Sequence, residues 1–384
     1  MKKLLILILT VFTVCLTTSS ALSVCAKENF TINSKSSILI DADTHSVIFA
    51  KNENQRLPIA SMTKIMLLNL CFENVDNGNL NLNEEITISK NASGMGGSQV
   101  FLEANKKYLA KDLIKSIIIA SANDASVAMS ERLYQSEANC VDEMNAKCRL
   151  WGLKDTLFSN CTGLPKPTQY SSAKDVAIML SKLIKHKEYF EYSKIWTDEI
   201  THSEGRVTSL TNTNKLVKFY DGCDGGKTGY TSESGFCLGA TAKRGNLRLI
   251  SVVINASDSK TRFADVSNMF NYGFENYTSK LVVDSKKPLN LDVKIENGKY
   301  KAVEIMPKDD VYIFSKRDEK AKITIDFTPY KVKAPLKKGD EVGELKIFKD
   351  GVEYKTVKAY INCDVDRKTY FDYIKDVASF WTIF

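Results

Sequence analysis

Pro58-Ile59-Ala60-Ser61-Met62-Thr63-Lys64-Ile65-Met66-Leu67-Leu68 sets a hydroxyl and an amine three residues apart at the head of an apolar run. From Ile65 to Phe72 only Asn69 is strongly polar, and a helix apolar nearly all round is usually a buried one. Side chains at i and i+3 of a helix share a face, so Ser61 and Lys64 are expected to meet. Burial disfavours the charged form of lysine. A neutral amine beside a hydroxyl is a general base beside a nucleophile. The spacing alone does not single out Ser61, because Ser-x-x-Lys recurs at Ser171 to Lys174 and at Ser257 to Lys260. The competing reading of Ser61 is a helix N-cap, a position that serine favours.

Working outward, Ser37 to Ala50 holds two short β-rich runs around a polar turn containing His45, the pattern of a hairpin. After the Ser61 helix, Glu85 to Ser89 reads as a short strand and Gly94 to Ser98 as a flexible loop. Helical patterns cover Tyr108 to Ile119, Ala125 to Tyr134 and Asn139 to Leu150, with a loop from Asn160 to Tyr170. Ser172 begins another helix, with Asp175 placed to complete a capping box. This makes the second Ser-x-x-Lys a helix start with a solvated Lys174. A glycine-rich turn precedes two strands, Gly235 to Ala242 and Leu247 to Asn255. The third Ser-x-x-Lys then falls in a surface loop, and Arg262 to Tyr277 has the spacing of a helix packed on that sheet. From about Ser279 the chain turns to short, regularly spaced strands, the signature of a small all-β domain.

The ends carry different information. Met1-Lys2-Lys3, an apolar run from Leu4 to Leu16 and small residues around Ala26 form a secretory signal peptide over residues 1–26. The formal charge is +7, and the two lysines of that segment leave +5 without it. A mild basic excess suits an anionic partner such as a membrane surface or cell wall. No basic run interleaved with aromatics suggests nucleic acid. At the other end Tyr370, Ile374, Val377, Trp381 and Phe384 fall on one helical face. This amphipathic segment, residues 367–384, is too short and polar to span a bilayer and suits a membrane interface. The expected organisation is a catalytic domain over residues 27–279, a β-rich domain over 280–366 and the terminal helix.

Several chemistries are disfavoured. Nine cysteines, two of them in the leader, form no C-x-x-C pair, so neither a zinc site nor a disulfide framework is expected. His45, His186 and His202 are the only histidines and none sits in a serine-hydrolase motif, so the base must be another residue. Gly226-Lys227-Thr228 is not a phosphate loop, because Asp221 stands where the first glycine is required. No metal and no cofactor is expected.

A serine nucleophile still needs a proton relay, oxyanion donors and a substrate clamp. Ser121-Ala122-Asn123 offers a second hydroxyl and an amide at a corner between helices. Lys227-Thr228-Gly229 occurs once and offers a cation, a hydroxyl and a bare backbone along which a substrate can lie. Taken in order, Ser61-x-x-Lys64, Ser121-x-Asn123 and Lys227-Thr228-Gly229 are similar to the motif set of penicillin-binding proteins and serine β-lactamases. With Asn212-Thr213-Asn214, Asp224 to Thr231, Gly235-Phe236-Cys237 and Ala334 to Gly339, the mature chain resembles the low-molecular-weight penicillin-binding proteins, serine-type D-alanyl-D-alanine carboxypeptidases.

That resemblance implies an α/β catalytic domain of the β-lactamase and transpeptidase type, followed by the small all-β domain and the amphipathic helix. It implies that Ser61 is acylated by the penultimate D-alanine of a peptidoglycan stem peptide, with Lys64 as its base. Ser121, Asn123 and Lys227 would relay the proton and hold substrate. The backbone N–H groups of Ser61 and Tyr230 would form the oxyanion hole, and Thr228, Gly229 and Arg262 would lie along the substrate, with Thr228 and Arg262 on its carboxylate. Gln169 and Thr213 depart from the pattern, since relatives often have histidine at the first position and some have arginine at the second. β-Lactams would act as inhibitors. A β-lactamase is the first alternative, but residues 140–200 contain no Glu-x-x-x-Asn element for fast deacylation, and the β domain does not suit that class. A non-catalytic wall-binding protein is the second, and it would be expected to lack the nucleophile or the lysine.

Overall fold

The computed structural model describes residues 31–300 and 302–381, so the expected leader lies outside the described residues. The hairpin is present as β1 (Ser36–Asp41) antiparallel to β2 (Val47–Lys51), with His45 left-handed at the turn, φ 58°. A 3-10 turn, Ala60–Thr63, leads directly into α1 (Lys64–Asp76), whose first nine residues are all buried. Asn69 is tolerated there because its amide donates to the carbonyls of Ile65 and Met179.

A helical layer follows: β3 (Glu85–Thr87), α2 (Lys90–Ser93), β4 (Lys107–Leu109), α3 (Ala110–Ile119), α4 (Asn123–Tyr134) and α5 (Glu137–Leu150). Tyr108 belongs to β4, paired with Ile86, and so falls outside the helix expected from it. Helix α6 (Ala173–Leu183) starts where Ser172 accepts from the Asp175 N–H. Only that half of the expected capping box forms. The Asp175 carboxylate instead accepts from Asp155 N and Thr156 Oγ1, tying the helix to the preceding loop.

Then come α7 (Tyr189–Ser193), β5 (Thr197–Thr201), β6 (Val207–Thr211), α8 (Leu216–Phe219), β7 (Cys223–Thr231), β8 (Gly235–Arg244), β9 (Leu247–Ala256) and α9 (Ser259–Asn276). The expected glycine-rich turn is the first half of β7, because Gly225 and Gly226 let the strand pass close to Tyr189 and Gly239. Helix α9 begins earlier than Arg262, since Asp258 caps it by accepting from Thr261 N. The third Ser-x-x-Lys therefore straddles a helix start as well.

The central sheet is antiparallel, in the order β2-β1-β9-β8-β7. Every residue of β1 is buried. Ile38, Ile40, Ile250 and Val252 join the core shared with α1 and α6, while Leu39 and Leu249 crowd Gly273 of α9. Both faces of the sheet are thus covered by helices, and the apolar centres of β1, Ile38 to Ile40, and of β9, Leu249 to Ile254 apart from Ser251, are buried on both sides.

The rest is β-rich: β10 (Tyr277–Val283), β11 (Leu289–Glu296), β12 (Ala302–Pro307), β13 (Val311–Lys316), β14 (Ile323–Pro329), β15 (Val332–Lys333), β16 (Glu341–Lys349) and β17 (Val352–Ile361). Six of these strands form one sheet in the order β14-β16-β17-β12-β11-β15, and β10 pairs with β13. They enclose a separate core that includes Val293, Ile305, Leu345, Ile347 and Ala359. Helix α10 (Tyr370–Trp381) ends the described chain with Tyr370, Phe371, Tyr373, Ile374 and Val377 exposed. Of the stripe expected on it, the side chain of Trp381 and residue Phe384 lie outside the described residues.

Candidate active site

Three segments converge on Ser61. The first is its own 3-10 turn, which holds Ala60 in the left-handed region at φ 46° immediately before the serine. The N-cap reading is not what the structure shows: the cap positions are Ile59 for the turn and Thr63 for α1, and neither makes a side-chain capping bond. One helical step on, Lys64 is fully buried and its Nζ lies 3.0 Å from Ser61 Oγ.

The second segment is the corner between α3 and α4. Ser121 sits there at φ 63°, a backbone state costing on the order of 1–3 kcal/mol in a non-glycine residue and held only by surrounding structure. Asn123 opens α4, and its Oδ1 accepts from Lys64 Nζ at 2.7 Å while its Nδ2 donates to Gly96 O at 2.7 Å. The Gly94 to Ser98 loop therefore does border this cluster. A Cβ on Gly97 would lie 2.8 Å from Asn123 Nδ2.

The third is β7. Lys227, also buried, donates to Ser121 Oγ at 2.7 Å and to Thr228 O at 3.2 Å. Thr228 Oγ1 donates to Thr213 Oγ1 at 2.8 Å. Gly229 is where β7 passes the nucleophile: a Cβ there would come within 2.6 Å of Ile59 O and 3.2 Å of Ser61 N. Only glycine permits that approach, which brings the Ser61 and Tyr230 backbones together. Tyr230 itself is exposed, its ring 4.3 Å from that of Phe236.

Sequence reasoning placed a loop over Asn160 to Tyr170 but gave it no contact with Lys64. The Thr162 carbonyl accepts from Lys64 Nζ at 2.5 Å. Gly163, at φ +84°, packs so tightly that a Cβ would stand 2.1 Å from Ala60 O. Asn160 Oδ1 fixes this turn by accepting from Gly163 N, and Gln169 Oε1 accepts from Ser159 N and Asn160 N. A backbone carbonyl has no side-chain signature, and Asn160-x-x-Gly163 was the one local hint of a constrained turn.

Arg262 is brought to the site edge in an unexpected pose. Its Nη1 donates to Gly229 O at 3.2 Å and Cys237 O at 3.4 Å, and its guanidinium lies between the Phe236 and Phe263 rings. It braces β7 from behind, with its Nε buried and unpartnered.

The electrostatics follow from burial. Desolvation pulls the Lys64 pKa down to about 7, against the partial opposition of Cys161 and Asp124. Desolvation first, then the charges of Lys64 and Arg262, hold Lys227 well below its ordinary value. A neutral amine has two N–H donors and one lone pair. In Lys64 the donors match Asn123 Oδ1 and Thr162 O, which leaves the lone pair for the Ser61 hydroxyl proton. The arrangement can therefore deprotonate Ser61 near neutral pH, with a second hydroxyl and amine beside it. Among the described residues no cluster of His, Cys, Asp or Glu is suited to a metal, and the seven described cysteines are thiols.

Comparison with known proteins identifies the family. Residues 23–258 match the family described as D-alanyl-D-alanine carboxypeptidase, and residues 277–367 match the penicillin-binding protein 5 C-terminal domain. The chain is 38% identical to D-alanyl-D-alanine carboxypeptidase DacF of Bacillus subtilis, over 91% of this chain and 90% of that one. It is 28% identical to DacA of Haemophilus influenzae over 87% and 86% respectively. Among solved structures, PBP3 of Streptococcus pneumoniae superposes with a TM-score of 0.73 at 26% identity, covering 88% of this chain and 100% of that one. Penicillin binding protein 5 from Haemophilus influenzae gives 0.68 at 27% identity, covering 88% and 99%. The protein belongs to the D-alanyl-D-alanine carboxypeptidase family of serine peptidases, with the C-terminal domain of penicillin-binding protein 5.

Proposed function

We propose that this enzyme removes the terminal D-alanine from peptidoglycan stem pentapeptides through an acyl-enzyme on Ser61. The observation that carries this reading is the 3.0 Å contact between Ser61 Oγ and a buried Lys64 whose pKa falls to about 7. Lys64 takes the Ser61 proton as Oγ bonds to the penultimate carbonyl carbon. The N–H groups of Ser61 and Tyr230 receive the developing oxyanion, where donors act most strongly. Ser121 and Lys227 pass a proton to the leaving nitrogen, the C–N bond breaks and D-alanine departs. Water then attacks the ester with the same groups acting as base. Asn123 orients Lys64 and the substrate amide. Thr228, supported by Thr213, receives the terminal carboxylate, and Arg262 adds positive charge from behind Gly229. A β-lactam enters as a mimic of the D-Ala-D-Ala end and acylates Ser61.

The same reading divides the chain into a catalytic part over residues 27–279 and a β-rich part over 280–366, supported by their separate cores. It places the enzyme outside the cytoplasm after loss of residues 1–26, in a role in cell-wall maintenance and cell shape. No helix among the described residues is long and apolar enough to cross a membrane. The aromatic face of α10 suits the outer surface of the cytoplasmic membrane instead.

The test is labelled-penicillin uptake and D-alanine release by wild type and Ser61→Ala. Wild type should show both and the variant neither. Labelling that survives the substitution would remove Ser61 from its role.

A further inference from the structure

Directly after Asn123, in the first turn of α4, Asp124 is fully buried. A buried carboxylate is costly unless its oxygens are hydrogen-bonded, and backbone N–H groups supply those bonds here. Oδ1 accepts from Val100 N at 3.2 Å and Ala125 N at 2.9 Å, and Oδ2 accepts from Val100 N at 3.1 Å and Leu102 N at 3.0 Å. Both oxygens act only as acceptors, the pattern of an ionised carboxylate.

Val100 and Leu102 belong to the loop between α2 and β4, and the same loop reaches back to Asn123. Ser98 O accepts from Asn123 N at 2.7 Å, and Gly96 O accepts from Asn123 Nδ2 at 2.7 Å. Between the two residues that Asp124 holds, Phe101 is left-handed at φ 62°. Such a backbone state persists only where surrounding contacts over-determine it. The bonds of Asp124 on either side supply them, together with the donation of Arg206 Nη2 to Phe101 O at 2.7 Å.

This loop decides how the Asn123 amide faces. A carbonyl oxygen can only accept, so Gly96 O draws Nδ2 toward the loop and leaves Oδ1 for Lys64, which donates to it at 2.7 Å. Turned over, the amide would present Nδ2 to Lys64 and compete with the Ser61 hydroxyl for the lone pair of the amine.

The carboxylate also bears on Lys64 through its charge. Burial lowers the lysine pKa to about 7, and Cys161 and Asp124 oppose that fall. Burial also raises the Cys161 thiol well above its ordinary range, so the thiol is uncharged at neutral pH and Asp124 is the anion of the two. The charges of Lys64 and Lys227 bear on each other from α1 and β7. Tyr108 on β4 and His202 at the turn between β5 and β6 feel the Asp124 carboxylate as well.

We propose that Asp124 is a positioning residue for acylation, which pins the loop over residues 96–102 so that Gly96 O orients the Asn123 amide, and which stands as the buried counter-charge to Lys64. The assignment rests on the reading of Ser61 as nucleophile and Lys64 as its base.

The test compares labelled-penicillin acylation by wild type, Asp124→Asn and Gly97→Ala, followed by stopped flow over a series of pH values. Rates are referred to the titrated active enzyme. Asp124→Asn removes the charge and one acceptor, and should lower the limiting rate about tenfold. A lysine that loses a neighbouring anion gives up its proton more readily, so the midpoint of the pH profile should move about half a unit or more to lower pH. Gly97→Ala keeps the carboxylate but sets a Cβ 2.8 Å from Asn123 Nδ2. It should lower the rate by a similar factor with the midpoint still at about 7. An unchanged midpoint in Asp124→Asn overturns the proposal, because a merely structural carboxylate would lower Tm and rate without moving the titration of Lys64. A wild-type rate in Gly97→Ala also overturns it, and decides alone if Asp124→Asn does not fold. Wild type that takes up no labelled penicillin would instead overturn the reading of Ser61, and the assignment of Asp124 would fall with it.

Discussion

The catalytic part and the β-rich part of this chain treat buried polarity in opposite ways. Around Ser61 the fold buries two lysines, Asn123, Ser121, Asp124 and many hydroxyls, whereas beyond Tyr277 Ser315 is the single buried polar side chain among the described residues. Burying polar groups costs stability unless each finds a partner, and burying cations costs more. The β-rich part avoids that cost and packs Ile305, Leu345 and Ile347 on apolar neighbours. The catalytic part accepts it, and a desolvated amine is the base that the proposed chemistry needs. The difference separates residues kept for reaction from residues kept for packing, and four experiments bear on it.

The largest effect is expected at Lys64. Lys64→Ala removes the base and should slow penicillin acylation by about 10³-fold or more, at the upper end of what general base catalysis supplies. Stopped-flow acylation checks this, and a loss below tenfold would mean that another group takes the Ser61 proton. Next comes Gly163→Ala, which should reduce acylation by more than tenfold. The new Cβ would stand 2.1 Å from Ala60 O at a positive φ, so the nucleophile turn or the Thr162 carbonyl must move. Wild-type acylation rates in this variant would show that the loop on Lys64 is not rigid.

The third experiment is pH. With Lys64 at about 7, kcat/KM for acylation should rise through that pH and fall about tenfold per unit below it. The unfolded chain holds the lysine proton up to its ordinary value of 10.5, so between about 7 and that value the unfolded state binds more protons. The Lys64 contribution to stability therefore increases with pH across that window, and the Tm difference between wild type and Lys64→Met should follow the same course. The smallest effect on chemistry is expected at Leu345→Ala. It should cost about 2–5 kcal/mol in the β-rich core, read by denaturant unfolding, while acylation stays within about twofold. A large kinetic loss there would show that the two parts are not energetically separate.

Much of this was legible before any coordinates. The apolar run after Lys64 announced a buried helix, and alternation marked the hairpin and most strands beyond residue 280. Ser61, Lys64, Ser121, Asn123 and Lys227 stood out as candidates because side-chain chemistry at fixed spacing is visible in sequence, and the structure places their side chains in one hydrogen-bonded cluster. What escaped had a backbone or tertiary origin. The Thr162 carbonyl on Lys64 has no residue signature. Gly225 and Gly226 read as a turn because their close packing on Tyr189 and Gly239 is tertiary. Asp175 reads as a capping-box partner until Thr156 and the Asp155 N–H are seen to claim it.

The place of β1 in the central sheet has a consequence for synthesis. β1 lies between β2 and β9, with Ser36 opposite Ile254 and Asp41 opposite Leu249. The first strand of this sheet in chain order is therefore an inner strand whose second neighbour is the last strand of the sheet to be made. Such non-local pairing slows folding, and no nascent fragment ending before Leu247 can close the sheet beneath Ser61. Ser61 and Lys64 are three residues apart, but the sheet that carries Lys227 beside them is completed only when the chain returns to β1.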